Sequence, residues 1–422
     1  MGTAADALEK TGVTVRDAGD DDAVAGVRPR WVALPESAEE VAALMRASAE
    51  QDLAVVPVGG GTKLHWGLPP ERCDLLIDTC CLTAPAEHAA GDMVVRVAAG
   101  TTMEELAALL ARNGQELALD VPLEGATVGG TLATATAGPR RFRYGTARDL
   151  LIGITVVLAD GTVARSGGKV VKNVAGYDLG KLFTGSYGTL GVIAEATFRL
   201  HPIPAARRWV TAAVAPGRLA AHSLALAASQ AEPSAIELDW PAGGPATLSV
   251  LVEGAAADGR ARTVLDLIGE GRIEDEPPPW WGRLPGGEGG EGDWSDGSDG
   301  SDRSDGSYES VAEALVELRV PPSRAADALA ALPRPAETSV RGALASGVLL
   351  LAPPPGAALP AYVTALRAAV REHGARAVVL AAPDPAALDM WGETGALPLL
   401  RRVKERFDPG RRMSPGRFVG GI

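Results

Sequence analysis

Apolar positions along this chain recur in two rhythms, and the switches between them mark out short strands and capped helices. Ser37-Ala38-Glu39-Glu40 reads as a capping box that opens a helix, with Val41, Leu44 and Met45 on one face. The apolar run Leu53 to Val58 follows as a strand and stops at Gly59-Gly60-Gly61. Val94 to Val97 predicts another strand, followed by a helix boxed by Thr102 and Glu105 with Leu106, Leu109 and Leu110 as its buried stripe. Ile154 to Leu158 and Thr162 to Ala164 flank Ala159-Asp160-Gly161, a hairpin signal. Val192 to Leu200 is a further strand, closed by His201-Pro202. Residues 28–202 therefore read as one α+β domain of two subdomains.

Beyond residue 202 the rhythm continues with strands at Ala235 to Trp240 and Leu248 to Glu253 and a helix around Gly259 to Leu267. Strand Leu315 to Val320, a helix from Ser323 to Leu332 and strand Val348 to Leu351 come next. A helix near Leu359 to Glu372 and strand Ala377 to Ala381 complete a smaller α+β domain over 203–400. Residues 1–27 read as an extension and 401–422 as a basic, turn-rich tail returning to the first domain.

The segment from Ile273 to Glu309 breaks the pattern. It holds 11 acidic and 2 basic residues, so it carries most of the chain's net charge of −13. Its Ser-Asp-Gly triplets cannot bury apolar surface, which predicts a disordered, solvated loop at 273–309 interrupting the second domain. Aspartates recur there every third residue, but the spacing fits neither an EF-hand loop nor a Gly-rich nonapeptide. Trp280, Trp281 and Trp294 are unusual company for such a loop and suggest local docking.

Charge and composition then narrow the function classes. An acidic chain repels nucleic-acid backbones and anionic membranes. No run of about 18 apolar residues appears, and the first ten residues lack the layout of a signal peptide. The expectation is a soluble, cytoplasmic chain without a transmembrane segment. Cys73, Cys80 and Cys81 are too few for a four-thiolate cluster or a structural zinc site, so no metal centre is expected.

Three glycine-rich stretches carry the candidate chemistry: Val58 to Leu64, Thr127 to Thr131, and Gly185 to Ile193. Consecutive glycines let the backbone approach a ligand closely, and the freed N–H groups can converge on an anion. No Gly-Lys-Ser/Thr follows, which excludes a Walker A loop, and the triple glycine does not open a helix as a Rossmann fingerprint would. A single stretch of this kind reads as a turn. Three at strand ends in one domain point to an extended, phosphate-bearing cofactor.

In this order and spacing the stretches resemble the FAD-binding domain of the vanillyl-alcohol-oxidase and para-cresol-methylhydroxylase (PCMH-type) superfamily. Gly138-Pro139-Arg140-Arg141, Gly145, Arg148-Asp149, Gly168 and Lys172 to Leu179 sharpen the likeness to the FAD-binding subunits of bacterial glycolate oxidases. The tail, Leu399 to Arg417, is similar to the superfamily's closing motif, with Ser414 where Asn is usual. The resemblance implies a PCMH-type FAD-binding domain followed by a smaller α+β cap. It implies that Val58, Gly59, Gly60, Gly61, Thr62, Lys63 and Leu64 wrap the pyrophosphate. It places Pro122, Thr127, Gly129, Gly130, Ala133, Thr134 and Gly138 along the flavin and ribityl side. Ser186, Gly188, Gly191, Val192 and Ile193 would line the adenosine end. Some superfamily members tether flavin through a His beside the first glycines; here Thr62 follows Gly61 and His65 comes three residues later, so FAD is expected to be noncovalent.

Oxidising a 2-hydroxy acid also needs a base and a cationic clamp for the carboxylate. The Gly-Asp-Gly-Asn-x-His stretch and His-x-His pair of related single-chain dehydrogenases do not occur here. His65, His88, His201, His222 and His373 are scattered and read as surface or packing residues. Arg140, Arg141 and Tyr177 are the weak catalytic candidates, with a salt bridge as the plainer role for the arginines, Arg148 included. The resemblance implies an oxidoreductase subunit acting with a sister flavin subunit and an iron–sulfur subunit on a small 2-hydroxy acid. Peripheral membrane association through such a complex stays open. A self-sufficient flavin oxidase and a non-catalytic FAD-binding scaffold are the alternatives.

Overall fold

The computed structural model describes residues 3–168, 178–286, 314–333 and 335–422. Tyr177, the Lys172 to Tyr177 part of the family-like stretch, Trp294 and the Ser-Asp-Gly triplets lie outside the described residues. The described chain divides into two units. One comprises Met1–Arg207, Glu253–Ala257 and Asp384–Ile422, and the other Arg208–Val252 and Asp258–Pro383. Residues 384–400, drawn with the later domain from sequence, thus group with the first unit.

The first unit is built on two main sheets. Strands β1 (Thr14–Asp17), β2 (Trp31–Leu34), β3 (Val55–Val58) and β4 (Leu75–Asp78) lie in the order β1-β2-β4-β3, with β4 parallel to both β2 and β3. The connection from β2 to β3 is the helix Ala38–Glu50, whose Val41, Leu44 and Met45 are fully buried against this sheet. Its cap differs from the box expected. The Ser37 hydroxyl accepts the Glu40 N–H, but the Glu40 carboxylate turns to the Glu36 amide one residue earlier.

The second sheet contains β5 (Glu87–Ala89), β6 (Val94–Ala98), β8 (Leu151–Val157), β9 (Val163–Gly167) and β10 (Val192–Arg199) in the order β5-β6-β10-β8-β9. β8 and β9 form the hairpin signalled by Asp160-Gly161, with Gly161 at φ +81°. The Thr102 and Glu105 box is present in full at the helix Met103–Ala111. Leu106 and Leu110 are buried there, while Leu109 is only half-buried, because it sits off the stripe that faces the sheet. A small pair, β7 (Gln115–Glu116) with β11 (His201–Pro202), joins the ends. The tail expected to be turn-rich instead forms the amphipathic helix Leu397–Phe407, followed by turns.

The second unit carries β12 (Arg207–Ala213), β13 (Ala235–Trp240), β14 (Thr247–Glu253), β15 (Arg272–Glu274), β16 (Leu315–Arg319), β17 (Ser339–Ala343), β18 (Val348–Ala352) and β19 (Arg376–Ala381). They form one sheet in the order β15-β12-β14-β13-β17-β18-β16-β19. The front of the acidic segment is not a solvated loop. β15 pairs with β12, Trp281 packs edge-on against Trp209 at 6.2 Å beside Ala235 and Leu251, and Arg341 donates to the Leu284 carbonyl at 2.8 Å. The tryptophans supply the apolar surface that the rest of the segment lacks. No helix among the described residues is long and apolar enough to cross a membrane.

Candidate cofactor site

Strand β3 ends against β4 and hands the chain to Gly59-Gly60-Gly61 at the edge of a cleft. The cleft and the open solvent at its mouth together take up about 770 Å³. All three glycine stretches reach it. Val58, Gly59, Gly60, Gly61, Thr62, Lys63 and Leu64 form one wall. Thr127, Gly129, Gly130, Ala133 and Thr134 form a second, and Gly188, Gly191, Val192 and Ile193 a third.

The middle stretch is not a loop. Val128–Thr134 is a helix whose N-cap, Thr127, accepts the Gly130 N–H at 3.2 Å. Two glycines in succession hid this from the sequence, since glycine weakens a helix. Their need is packing: a Cβ on Gly129 would stand 2.9 Å from the Ala99 Cβ. A Cβ on Gly59 would strike the Thr127 side chain, and one on Gly60 the Gly125 carbonyl. Gly61 and Gly130 differ. A Cβ there would meet nothing nearer than Leu64 Cδ1 at 3.9 Å or the capping hydroxyl of Thr127 at 3.2 Å. Both line the cleft; at Gly130 a side chain would fill ligand space, while Gly61 is fixed besides by its φ of +73°. Among the described residues, no acceptor is found for the amides of Gly60, Gly61 and Thr62, which leaves N–H donors beside the opening.

Pro122, Gly138 and Ser186 are not brought to the cleft. Gly138 packs on Asp120, where a Cβ would lie 2.7 Å from the Asp120 Cβ. Ser186 is buried, and its hydroxyl has no partner among the described residues. In their place the structure adds Val56, Pro57, Thr79, Tyr187 and Arg417, which sequence reasoning missed.

Arg417 arrives from the far end of the chain along a defined route. Val55 donates to the Arg412 carbonyl and Ser414 to the Val55 carbonyl, so the tail runs beside β3 as an added parallel bridge. Lys404 and Asp408 pin this turn. The Lys404 ammonium donates to Asp408, Thr189 and Met413 oxygens at 2.7–2.8 Å, and the Asp408 carboxylate accepts the Met413 amide. Ser414 holds φ +41°, a conformation that suits Asn better than Ser and accounts for the residue usual there. Arg417 is then buried and donates to the Leu64 and Trp66 carbonyls at 2.8 and 2.7 Å.

The electrostatics of the cleft are one-sided. Lys63 is buried, its ammonium donates to the Thr62 hydroxyl at 3.1 Å, and burial pushes it down to about 8. Burial likewise pushes the Arg417 guanidinium down to about 10. Among the described residues no Asp or Glu lines the opening. His65 is held below its ordinary value by burial, and then by Arg417 and Lys63, but it does not line the cleft, and neither does any cysteine. Two buried cations, open backbone amides and no carboxylate suit an elongated anion bearing phosphates. FAD fits that description, and the first glycine stretch with Lys63 and Arg417 is where its diphosphate would be held.

Of the weak catalytic candidates, Arg140 and Arg141 lie elsewhere. Arg140 is committed to carboxylates, with Asp120 Oδ1 and Glu116 Oε2 each at 2.8 Å. Arg207 bridges Glu116 at 2.8 Å and Glu253 at 2.9 Å, and Tyr144 donates to Glu253 at 2.9 Å. Burial opposes the charge of Arg140, yet Asp120 and Glu116 raise it above its ordinary value. This is the salt-bridge role rather than a free clamp. Arg141 donates to the Ala137 carbonyl at 3.1 Å, and Arg148 is exposed. Neither reaches the cleft. Of the histidines, His88 bonds Gln115 at 2.9 Å, His201 packs edge-on against Tyr144 at 4.7 Å, and His373 meets Arg324 at 3.1 Å.

The family model for an FAD binding domain matches residues 29–167. This chain carries an FAD-binding domain, and FAD is its cofactor. D-lactate dehydrogenase of Archaeoglobus fulgidus is 39% identical over 171 residues, 40% of this chain and 38% of that protein. D-2-hydroxyglutarate dehydrogenase of Xanthomonas citri is 37% identical over 177 residues, covering 42% and 38%. Glycolate oxidase subunit GlcD of Bacillus subtilis is 32% identical over 185 residues, covering 44% and 39%. The matched stretch thus spans under two fifths of each of these relatives. Among solved structures, Physcomitrella patens BBE-like 1 superposes with a TM-score of 0.67 at 14% identity, covering 98% of both chains. Alkyldihydroxyacetonephosphate synthase gives 0.65 at 18% identity, covering 92% of this chain and 76% of that one. The mixed α+β architecture is the fold this chain shares with those two structures.

Proposed function

We propose that this chain is an FAD-dependent oxidoreductase subunit that helps oxidise a small 2-hydroxy acid, in a glycolate-oxidase type of complex. One observation carries the reading: three glycine stretches and two buried cations converge on one carboxylate-free cleft within an FAD-binding domain. Bound there, the flavin supplies a hydride acceptor. The chain's own residues hold the diphosphate, through the amides of Gly60 to Thr62 with Lys63 and Arg417, and pack the cofactor against Val192, Ile193 and Ala133. FAD is held without a covalent bond in this reading, because Thr62 rather than a histidine follows Gly61 and His65 comes three residues later.

The division of labour follows from what the cleft lacks. Arg140 is neutralised by its carboxylates, and no histidine reaches the opening, so neither a free clamp nor a base stands ready among the described residues. A sister flavin subunit supplies the main substrate site, and an iron–sulfur subunit takes the electrons. The relatives named for D-lactate, D-2-hydroxyglutarate and glycolate chemistry favour 2-hydroxy acids as the substrate class.

Single-turnover bleaching tests this. The pure chain should show bound flavin and release it into the supernatant on acid precipitation. Mixed anaerobically with glycolate or D-lactate it should bleach slowly, because general-base catalysis contributes about 10²–10⁴-fold. Adding the sister and iron–sulfur subunits should restore turnover with a dye acceptor. Rapid bleaching of this chain alone would replace the subunit reading with a self-sufficient dehydrogenase.

A further inference from the structure

Lys63 is the least expected charge in the first unit. A buried ammonium normally finds a carboxylate, because an uncompensated buried charge is costly. Lys63 has only the Thr62 hydroxyl, and no carboxylate lies within ion-pair distance of it among the described residues. A second buried cation, Arg417, lines the same opening from the tail. The groups facing this pair are few. Glu104, from the helix Met103–Ala111, draws on Lys63 from a distance, and His65 on the same loop is pushed toward its neutral form. Tyr187 and Cys73 face Arg417, and burial pushes the Cys73 thiol up to about 12.

The ligand-free cleft and the filled cleft therefore favour different states of one side chain. With nothing anionic in the opening, the neutral amine is the cheaper form at mildly alkaline pH. With a diphosphate there, the ammonium is. We propose that FAD binding by this chain is coupled to protonation of Lys63, so that in alkaline solution the cleft takes up as much as one proton from solvent with the cofactor and releases the cofactor more readily. The proton moves from water or buffer onto the Lys63 amine, and no other bond changes. This rests on the reading that the diphosphate lies in this cleft. It adds that affinity is set by a side chain that titrates close to neutral pH. Arg417 keeps its charge to about 10 and Cys73 its proton to about 12, so neither imitates Lys63 between pH 7 and 9.

Calorimetric titration of the full chain, freed of flavin, with FAD in two buffers of different ionisation heat measures the protons taken up. A group that titrates at about 8 in the free protein should take up about 0.1 proton per FAD at pH 7, about half at pH 8 and about 0.9 at pH 9. Affinity should be flat below pH 7 and fall toward tenfold per pH unit above 8. Lys63→Arg should keep tight binding while losing both the uptake and the pH dependence. Lys63→Met should bind at least about tenfold more weakly at pH 7, the loss expected for a charged hydrogen bond, and show a flat profile. FAD bound with no proton uptake at pH 9, or a Lys63→Met chain with the unaltered profile, would overturn the coupling and leave the cofactor assignment standing. No FAD binding at any pH would remove the assignment of the cleft, and the coupling with it.

Discussion

Around Arg140 and Arg207 the chain has assembled Glu116, Asp120 and Glu253 through hydrogen bonds of 2.8 to 2.9 Å, with the Tyr144 hydroxyl on the last carboxylate. Around Lys63 and Arg417 it has assembled hydroxyl and carbonyl oxygens and, among the described residues, no carboxylate within ion-pair distance. Both pairs of cations belong to the same unit and both are largely withdrawn from water. The difference separates a structural charge from one kept for a ligand. A network whose partners are all in the chain is complete as folded, and losing one member strands the others. A cation left short of its counter-ion costs stability in the empty protein, and that cost is recovered when the anion arrives. Sequence resemblance nominated residues from both places; only their partners tell the two roles apart.

The sharpest way to break the comparison is to uncouple the network. Glu116→Gln leaves Arg140 and Arg207 sharing two carboxylates instead of three. Removing one partner of a fully buried pair costs about 3–5 kcal/mol, and Arg207 retains 31% of its side-chain exposure, so about 2–3 kcal/mol is expected here. Urea unfolding should show that loss, while the FAD dissociation constant stays within about twofold. A large fall in FAD affinity without loss of stability would place this network in the cofactor site and erase the distinction.

The glycines offer the same contrast at smaller scale. Gly60 owes its lack of a side chain to the Gly125 carbonyl, and Gly130 to the open cleft. Gly60→Ala should destabilise the chain by about 1–3 kcal/mol, as overpacking does. Gly130→Ala sits inside a helix, where alanine is favoured by up to about 1 kcal/mol, and only the Thr127 hydroxyl must yield. Its unfolding midpoint should hold or rise while flavin content after desalting falls. Full flavin retention in a folded Gly130→Ala chain would mean that the middle stretch does not face the cofactor.

Sequence made local features readable and left distant ones hidden, for reasons visible in particular residues. The Thr102 and Glu105 box and the Asp160-Gly161 turn depend on neighbours within four positions, and both formed as expected. Leu75–Asp78 and Trp31–Leu34 were passed over as strands because each is a four-residue run whose partner is far away in sequence. The helix Leu397–Phe407 was obscured by its own buried Lys404, a cation in the apolar stripe whose partners are Asp408 and two carbonyls. The likeness to a closing motif brought the tail back to the first domain but did not single out Arg417 as a cofactor residue. Arg417 lies more than 350 residues from the Leu64 and Trp66 carbonyls that hold it, and only the strand-like passage of residues 412–414 beside β3 brings it there.

The finest test of the comparison uses pH alone. In the folded, flavin-free chain Lys63 lies near 8, below its ordinary 10.5, so between those values the unfolded chain holds a proton that the folded chain does not. Stability rises with pH wherever the unfolded state binds more protons. The flavin-free chain should therefore gain stability relative to Lys63→Met from about pH 8 toward 10.5, by up to about 1 kcal/mol per pH unit. Well below pH 8 the full cost of the buried ammonium, which has the Thr62 hydroxyl but no carboxylate, is present, and Lys63→Met should be the more stable of the two. Saturating FAD should abolish the rise, because the bound anion keeps the ammonium charged in the folded state as well. Urea midpoints of both chains at pH 7, 8 and 9, with and without FAD, measure it. A wild-type profile parallel to that of Lys63→Met in the absence of FAD would show that this amine is partnered within the chain, and the two sites would then be of one kind.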